Sequence, residues 1–187
     1  MIWVWVRVFR KLKGQQKMTD PTADTPLVQL PRLPCSISQR CDLLYKTEWS
    51  EDLDYEHVSI LAEYVDAYSA PPGAKVFEQG GQGQYLCLLV EGQVEVTMAD
   101  SAGVEKVLAS IETGKTFGEM SLIDGEPRSA TAVAKVGSKV LTLTQDDFQV
   151  LSNEHPRLGA ILLTKIAELM SHRLRQTSGM LVEYLEG

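Results

Sequence analysis

The chain has 187 residues, 44% hydrophobic and 23% charged, with a formal net charge of −7. That length and mix allow one globular domain with extensions, and a domain of that size can bury a core without staples. The acidic balance argues against a broad nucleic-acid surface, no run nears the roughly 20 apolar residues of a membrane span, and Cys35, Cys41 and Cys87 have no paired framework and no neighbouring His for a metal site, so all three read as free thiols of a reducing, cytoplasmic compartment.

Residues 1–17 form a basic, apolar extension: Arg7, Arg10, Lys11, Lys13 and Lys17 with no acid. MIWVWVRVF is a poor signal peptide, because the basic residues follow the apolar run and no small-residue cleavage site is present. Trp3, Trp5 and Phe9 could touch a membrane surface or a partner. The plainer reading, preferred here, is an upstream extension with Met18 as an alternative start, and no membrane partner is expected. Residues 18–50, rich in Pro and Thr at their start, read as a linker, with 35–50 ambiguous. The domain proper is expected over 51–187.

Asp52 or Asp54 is a candidate N-cap, and Val58, Leu61, Ala62 and Val65 recur at helical spacing, which predicts a helix near 54–66. Pro71, Pro72 and Gly73 then make a turn. KVFEQG, QYLCLLVEG, QVEVTM, EKVLASI, SATAVAKV and KVLTLT each have strand length. In QVEVTM the apolar Val94, Val96 and Met98 alternate with Glu95 and Thr97, as a half-buried strand requires. Hairpin turns fall at Glu91-Gly92 and at Asp100 to Gly103. Six or more short strands at this spacing predict a sandwich or jelly roll.

Thr113 to Ala134, TGKTFGEMSLIDGEPRSATAVA, carries the chemistry. Phe117 is an apolar anchor, and Gly118 removes a side chain where backbone must come close to something. Glu119 opens a short helical turn, Met120 to Ile123. Gly125 and Pro127 reset the chain, and Arg128 leads into a strand. A short helix behind a Gly offers backbone N–H groups to an anion, and an Arg after a fixed turn offers it a planar charged fork. A carboxylate at Glu119 suits a sugar hydroxyl instead. An anion cradle beside a hydroxyl acceptor matches a ribose phosphate. Taken singly, Glu119 could be a helix cap, Arg128 a solvated strand-edge charge and Gly118 a turn residue.

After Phe148 the period becomes helical. Gln145 to Glu154 predict a short helix stopped by Pro156, and 157–185 one long helix with Leu163, Ile166, Met170, Leu174, Thr177, Leu181 and Tyr184 along one stripe. At roughly 1.5 Å per residue it would span about 42 Å, more than a small barrel covers, which favours homodimerisation through this helix.

The stretch FGEMSLIDGEPRSATA resembles the phosphate-binding cassette of cyclic-nucleotide-binding domains, the family of the catabolite activator protein, protein kinase A regulatory subunits and cyclic-nucleotide-gated channels. VFEQGGQGQYLCLLVEGQVEV is similar to the family in its glycine and apolar spacing, and HPRLGAILLTKIAELMSHRLR resembles its hinge and last helix. The resemblance covers about residues 54–187. It implies a mainly β fold with flanking helices: a double-stranded β-helix (jelly-roll) barrel with a short N-terminal and a long C-terminal helix. It implies that Gly118 and Glu119 bind the ribose 2′-hydroxyl, that Arg128 pairs with a cyclic-phosphate oxygen, and that Ser129 and Ala130 add a hydroxyl and a backbone N–H. Phe117 and Met120 flank these residues and complete the cassette. RLRQTS is similar to the last-helix segment of the catabolite activator, which points to Thr177 and Ser178 for adenine. The helix runs four residues longer between Pro156 and Arg173, and that extra turn offers Arg173 or Leu174 to the base as the alternative. Many members have Asp where this chain has Gly81, at a position that shapes a loop.

The resemblance implies a sensor of cAMP, more than of cGMP given Ser129, with no cofactor beyond that regulatory ligand, no catalysis, no nucleic-acid partner and an unidentified downstream protein. Three rivals remain in view. A transcription regulator would need a DNA-binding segment beyond Leu185. A cupin-like metal enzyme would need His ligands on strands, whereas His57, His155 and His172 fall in helical regions. A ligand-free fold of the same type could serve as a dimerisation or docking module.

Overall fold

The computed structural model describes residues 26–99 and 103–186. The extension 1–17, the first residues of the expected linker and residues 100–102 of the turn expected at Asp100 to Gly103 lie outside the described residues. In chain order the elements are α1 (Pro26–Gln29), α2 (Ile37–Leu44), a 3-10 turn (Glu48–Asp52), α3 (Tyr55–Tyr64), β1 (Asp66–Ala70), β2 (Lys75–Phe77), β3 (Tyr85–Glu91), β4 (Gln93–Ala99), β5 (Glu105–Glu112), β6 (Thr116–Phe117), α4 (Met120–Asp124), β7 (Thr131–Ala134), β8 (Ser138–Thr144), α5 (Gln145–Glu154) and α6 (Pro156–Glu186).

The strands form two four-stranded sheets, ordered β1-β8-β3-β6 and β2-β7-β4-β5, with every pairing antiparallel. This is the expected jelly-roll arrangement with flanking helices. The sheets face one another across a shared core rather than closing into one hydrogen-bonded barrel. β3 explains the unbroken apolar run YLCLLV. Successive side chains point to opposite faces. Tyr85, Cys87 and Leu89 enter the core between the sheets, while Leu86, Leu88 and Val90 join a second core under the helices. A strand covered on both faces needs no polar alternation. β5 is the contrasting case: an edge strand, bulged between Val96 and Thr97 of its partner, with residues 105–110 all exposed.

Residues 26–50 are not a bare linker. Leu27 and Leu30 are buried in the intersheet core, and Cys41, Leu44 and Trp49 in the helical one. Leu33 N–H donates to the Ala67 carbonyl at 2.8 Å and Ser69 N–H to that of Pro31 at 2.9 Å, so residues 31–33 run along β1. α2 opens on a capping box, Ser36 with Gln39. Residues 27–49 thus pack together with the unit expected over 51–187. Asp54, one of the two candidate caps, does cap α3, accepting from the His57 N–H at 2.9 Å.

The long helix has 31 residues and two regimes. Leu158, Leu162 and Ile166 are buried against the helical core, with Met170 partly covered. Beyond Arg173, Leu174, Met180, Leu181, Val182 and Leu185 are all exposed. Of the stripe read from the sequence, Ile166 and Met170 pack on the domain, whereas Leu163, Leu174, Thr177 and Leu181 are exposed.

Candidate functional site: the Gly118–Ala130 cassette

β6 delivers Phe117, 1% exposed, into the core and hands the chain to Gly118. Gly118 has φ +74°, and an added Cβ would lie 2.8 Å from the Phe77 ring and 2.9 Å from Nη1 of Arg128. Glycine is thus required twice, by dihedral and by close approach. Glu119 stands at the N-cap of α4 but its side chain caps nothing. Its carboxylate, 2% exposed, accepts from Nη1 of Arg173, which lies 2.6 Å from both oxygens. Nη2 of Arg173 donates to the Thr116 carbonyl at 2.7 Å. α4 ends in the left-handed Gly125, as a short helix needs.

Arg128 is 4% exposed. Its Nη1 donates to the Gly118 carbonyl at 2.8 Å and its Nη2 to the Tyr85 carbonyl at 2.7 Å. The guanidinium lies 4.2 Å from the centre of the Phe77 ring and 4.0 Å from that of Tyr85. Nε is buried with no hydrogen-bond partner, and among the described residues no carboxylate lies within 4.0 Å of the group. A permanent cation therefore sits out of water on neutral oxygens and two aromatic faces. The backbone pins it there: Gly80 N–H donates to the Arg128 carbonyl at 2.8 Å, and Arg128 N–H to that of Gly81 at 3.0 Å. The departure at Gly81 has a local reason, since a Cβ there would meet the Glu78 carbonyl oxygen at 2.8 Å. Below the site, burial pushes the Cys87 thiol up to about 12, while the Arg128 charge pulls the other way.

The rest of the cassette is near the surface. Met120 and Ser129 are exposed, with Ser129 Oγ 3.8 Å from Met120 Sδ, and Ala130 is buried. Gln145 Nε2 donates to the Leu122 carbonyl at 3.0 Å and ties α4 to α5. Among the described residues no group of three or more His, Cys, Asp or Glu is placed to hold a metal ion.

The sequence pattern of the cyclic nucleotide-binding domain matches residues 68–155, which run from within β1 through β8 and the cassette to the end of α5. This chain carries, over residues 68–155, a cyclic nucleotide-binding domain. It is 35% identical over 121 residues to a cyclic AMP receptor protein of Thermus thermophilus, covering 65% of this chain and 54% of that protein. It is 38% identical over 97 residues to a cAMP-dependent protein kinase regulatory subunit of Aspergillus fumigatus, covering 52% of this chain and 22% of the subunit. The chain therefore spans only part of these curated relatives. A cyclic nucleotide-binding domain from Methylobacillus flagellatus superposes with a TM-score of 0.75 at 26% identity, covering 89% of this chain and 96% of that one.

Within this cyclic-nucleotide-binding domain the structure brings Phe117, Gly118, Glu119 and Arg128 together. Thr177 and Ser178 lie on the exposed surface of α6, where Thr177 Oγ1 donates back to the Arg173 carbonyl at 2.9 Å. No hydrogen bond joins either to the cassette among the described residues. The helix residue that reaches the cassette is Arg173, one turn earlier, and it meets the carboxylate assigned to ribose rather than a base position. Leu174 points out, 68% exposed. An Arg in RLRQTS is visible in the sequence, but its pairing with a carboxylate 54 residues away is not.

Proposed function

We propose that this domain is a regulatory sensor that binds a cyclic nucleotide, cAMP in preference to cGMP, and passes the signal through α6. The buried guanidinium of Arg128 carries the reading. A charge taken out of water costs several kcal/mol unless it is paired, and this one has aromatic faces, carbonyls and an unpartnered Nε–H but, among the described residues, no anion. A singly charged cyclic phosphate supplies the missing partner. Glu119, held by Arg173, has lone pairs left to accept from the ribose 2′-hydroxyl. Ser129 and Ala130 flank the same phosphate position, and Thr177 and Ser178 are the residues assigned to the base. The names of the Thermus and Aspergillus relatives both specify cyclic AMP, which supports that ligand here. The unpaired Cys35, Cys41 and Cys87 favour a reducing, cytoplasmic setting.

Through Arg173 the state of the cassette is mechanically joined to α6, so a ligand that binds one helix position better shifts the population toward it. The exposed Leu174, Leu181 and Leu185 beyond that joint are the surface through which a second copy would pair, with the downstream protein reading the pair. Calorimetric titration of the full chain with cAMP and 2′-deoxy-cAMP tests the site. Glu119 as ribose acceptor requires the deoxy analogue to bind more weakly, and equal affinities would remove that role. A folded protein that binds neither would instead be the docking module of the same fold, a reading the Glu119–Arg173 pair also accommodates.

A further inference from the structure

The 3-10 turn Glu48–Asp52 lies outside the family match yet grips both sides of the cassette's frame. Glu48 N–H donates to the Gly114 carbonyl at 3.1 Å, and its carboxylate pairs with Lys115. On the other side, Lys165 of α6 donates to the Glu48 carbonyl at 3.3 Å and pairs with Asp52. Trp49, 4% exposed, roots the turn in the helical core. Lys165 itself is only 13% exposed, whereas Asp52 is 68% exposed. The residue after Lys115 is Thr116, whose carbonyl takes Arg173. Two residues of one helix thus hold the same short segment, Arg173 directly and Lys165 through the turn. They stand eight residues apart, about 12 Å along the axis at roughly 1.5 Å per residue. Leu158, Leu162 and Ile166 seat the helix on the core, and these two polar attachments add a fixed reference along its axis.

We propose that Lys165 is a positioning residue for the nucleotide site, keeping Arg173 in register with Glu119. This rests on the nucleotide-binding reading above. A movement of Arg173 by about 1.5 Å, one helix residue, directly away from Glu119 would stretch the 2.6 Å contacts to about 4.1 Å, beyond hydrogen-bond range. Glu119 would then confront the incoming phosphate as an unpaired like charge, and affinity would fall.

The test uses cAMP as probe on the full chain, with Lys165→Met and Lys165→Arg in the wild-type and Arg173→Met backgrounds. The expected result is a roughly 3- to 30-fold loss for Lys165→Met. Lys165→Arg should recover most of it, and Lys165→Met should add nothing once Arg173 is already gone. Undiminished affinity in Lys165→Met, or the same loss in both backgrounds, overturns the assignment, the second outcome marking mere structural support. A wild type that binds no cyclic nucleotide overturns this assignment together with the nucleotide reading, whereas a binding wild type with an unaffected Lys165→Met overturns this assignment alone. Should Lys165→Met fail to fold, Asp52→Asn removes the same ion pair from its solvent side, with the same expectation.

Discussion

Replacing Arg128 with Met, which keeps an unbranched stem but ends two bonds short of the terminal guanidinium nitrogens and carries no charge, separates a cation kept for stability from one kept for a ligand. In the free protein the substitution loses two hydrogen bonds from a charged donor, at 2.8 and 2.7 Å, worth roughly 1.5–3 kcal/mol each. It also loses the stacking on Phe77 and Tyr85, about 1–2 kcal/mol when desolvated. Against this, it removes a buried charge with no counter-ion, whose desolvation costs several kcal/mol. The opposing effects are of similar size, so stability without ligand should change by no more than about 2 kcal/mol in either direction. Binding has no such compensation: losing the cation that pairs with a buried phosphate should cost about 2–5 kcal/mol, or roughly 30-fold to several thousand-fold in affinity. Urea unfolding without ligand and calorimetry with cAMP read the two quantities separately. A folded Arg128→Met protein with wild-type affinity would refute the reasoning. So would a loss of stability far larger than the loss of binding, which would make Arg128 a structural cation.

Gly118→Ala should be severe on both counts, because the residue has φ +74° and the new Cβ would meet Phe77 and Arg128; expect a loss of at least about 1 kcal/mol in urea unfolding together with weakened cAMP binding. Leu181→Glu, on the exposed half of α6, should leave the melting temperature of the monomeric unit unchanged while shifting sedimentation toward the monomer; an unchanged mass would show that the second copy pairs elsewhere. Cys87 should resist thiol reagents at pH 8 in the folded protein while the half-buried Cys35 reacts. Because the folded thiol is raised from 9.0 to about 12, its contribution is complete below pH 9 and is lost as pH climbs from there toward 12, and Cys87→Ala should flatten that part of the stability profile.

The parts of this fold that were legible in the sequence are those whose signals are local. The helix Gln145–Glu154 with its stop at Pro156, the cap at Asp54 and the strands around Tyr85–Glu91 announce themselves through periodicity, caps and turns. β1 and β6 are not legible, because DAYSA and TF carry almost no strand signal; they exist through pairing with β8 and β3. Residues 26–50 look like linker in the sequence because their helices are too short for a period to emerge, although Ser36 followed three residues later by Gln39 is the signature of a capping box. The cassette was legible as a set of residue types at close spacing. What was not legible is long-range: Arg173 reaching Glu119, and the placement of Phe77 and Tyr85 around Arg128. In QVEVTM the alternation is only half followed. Val94 is buried, but so is Thr97, while Met98 is partly exposed.

The central claim is that an anion-seeking cation and a hydroxyl-seeking carboxylate share one ligand. The most direct measurement is the melting temperature of the wild-type chain as cAMP is raised. A ligand that binds only the folded state adds about 2.7 kcal/mol at one hundred times its dissociation constant. For a chain of this size that amounts to a rise of roughly 5–11 °C, growing with the logarithm of concentration. A melting temperature that stays fixed at millimolar cAMP and cGMP would contradict the account.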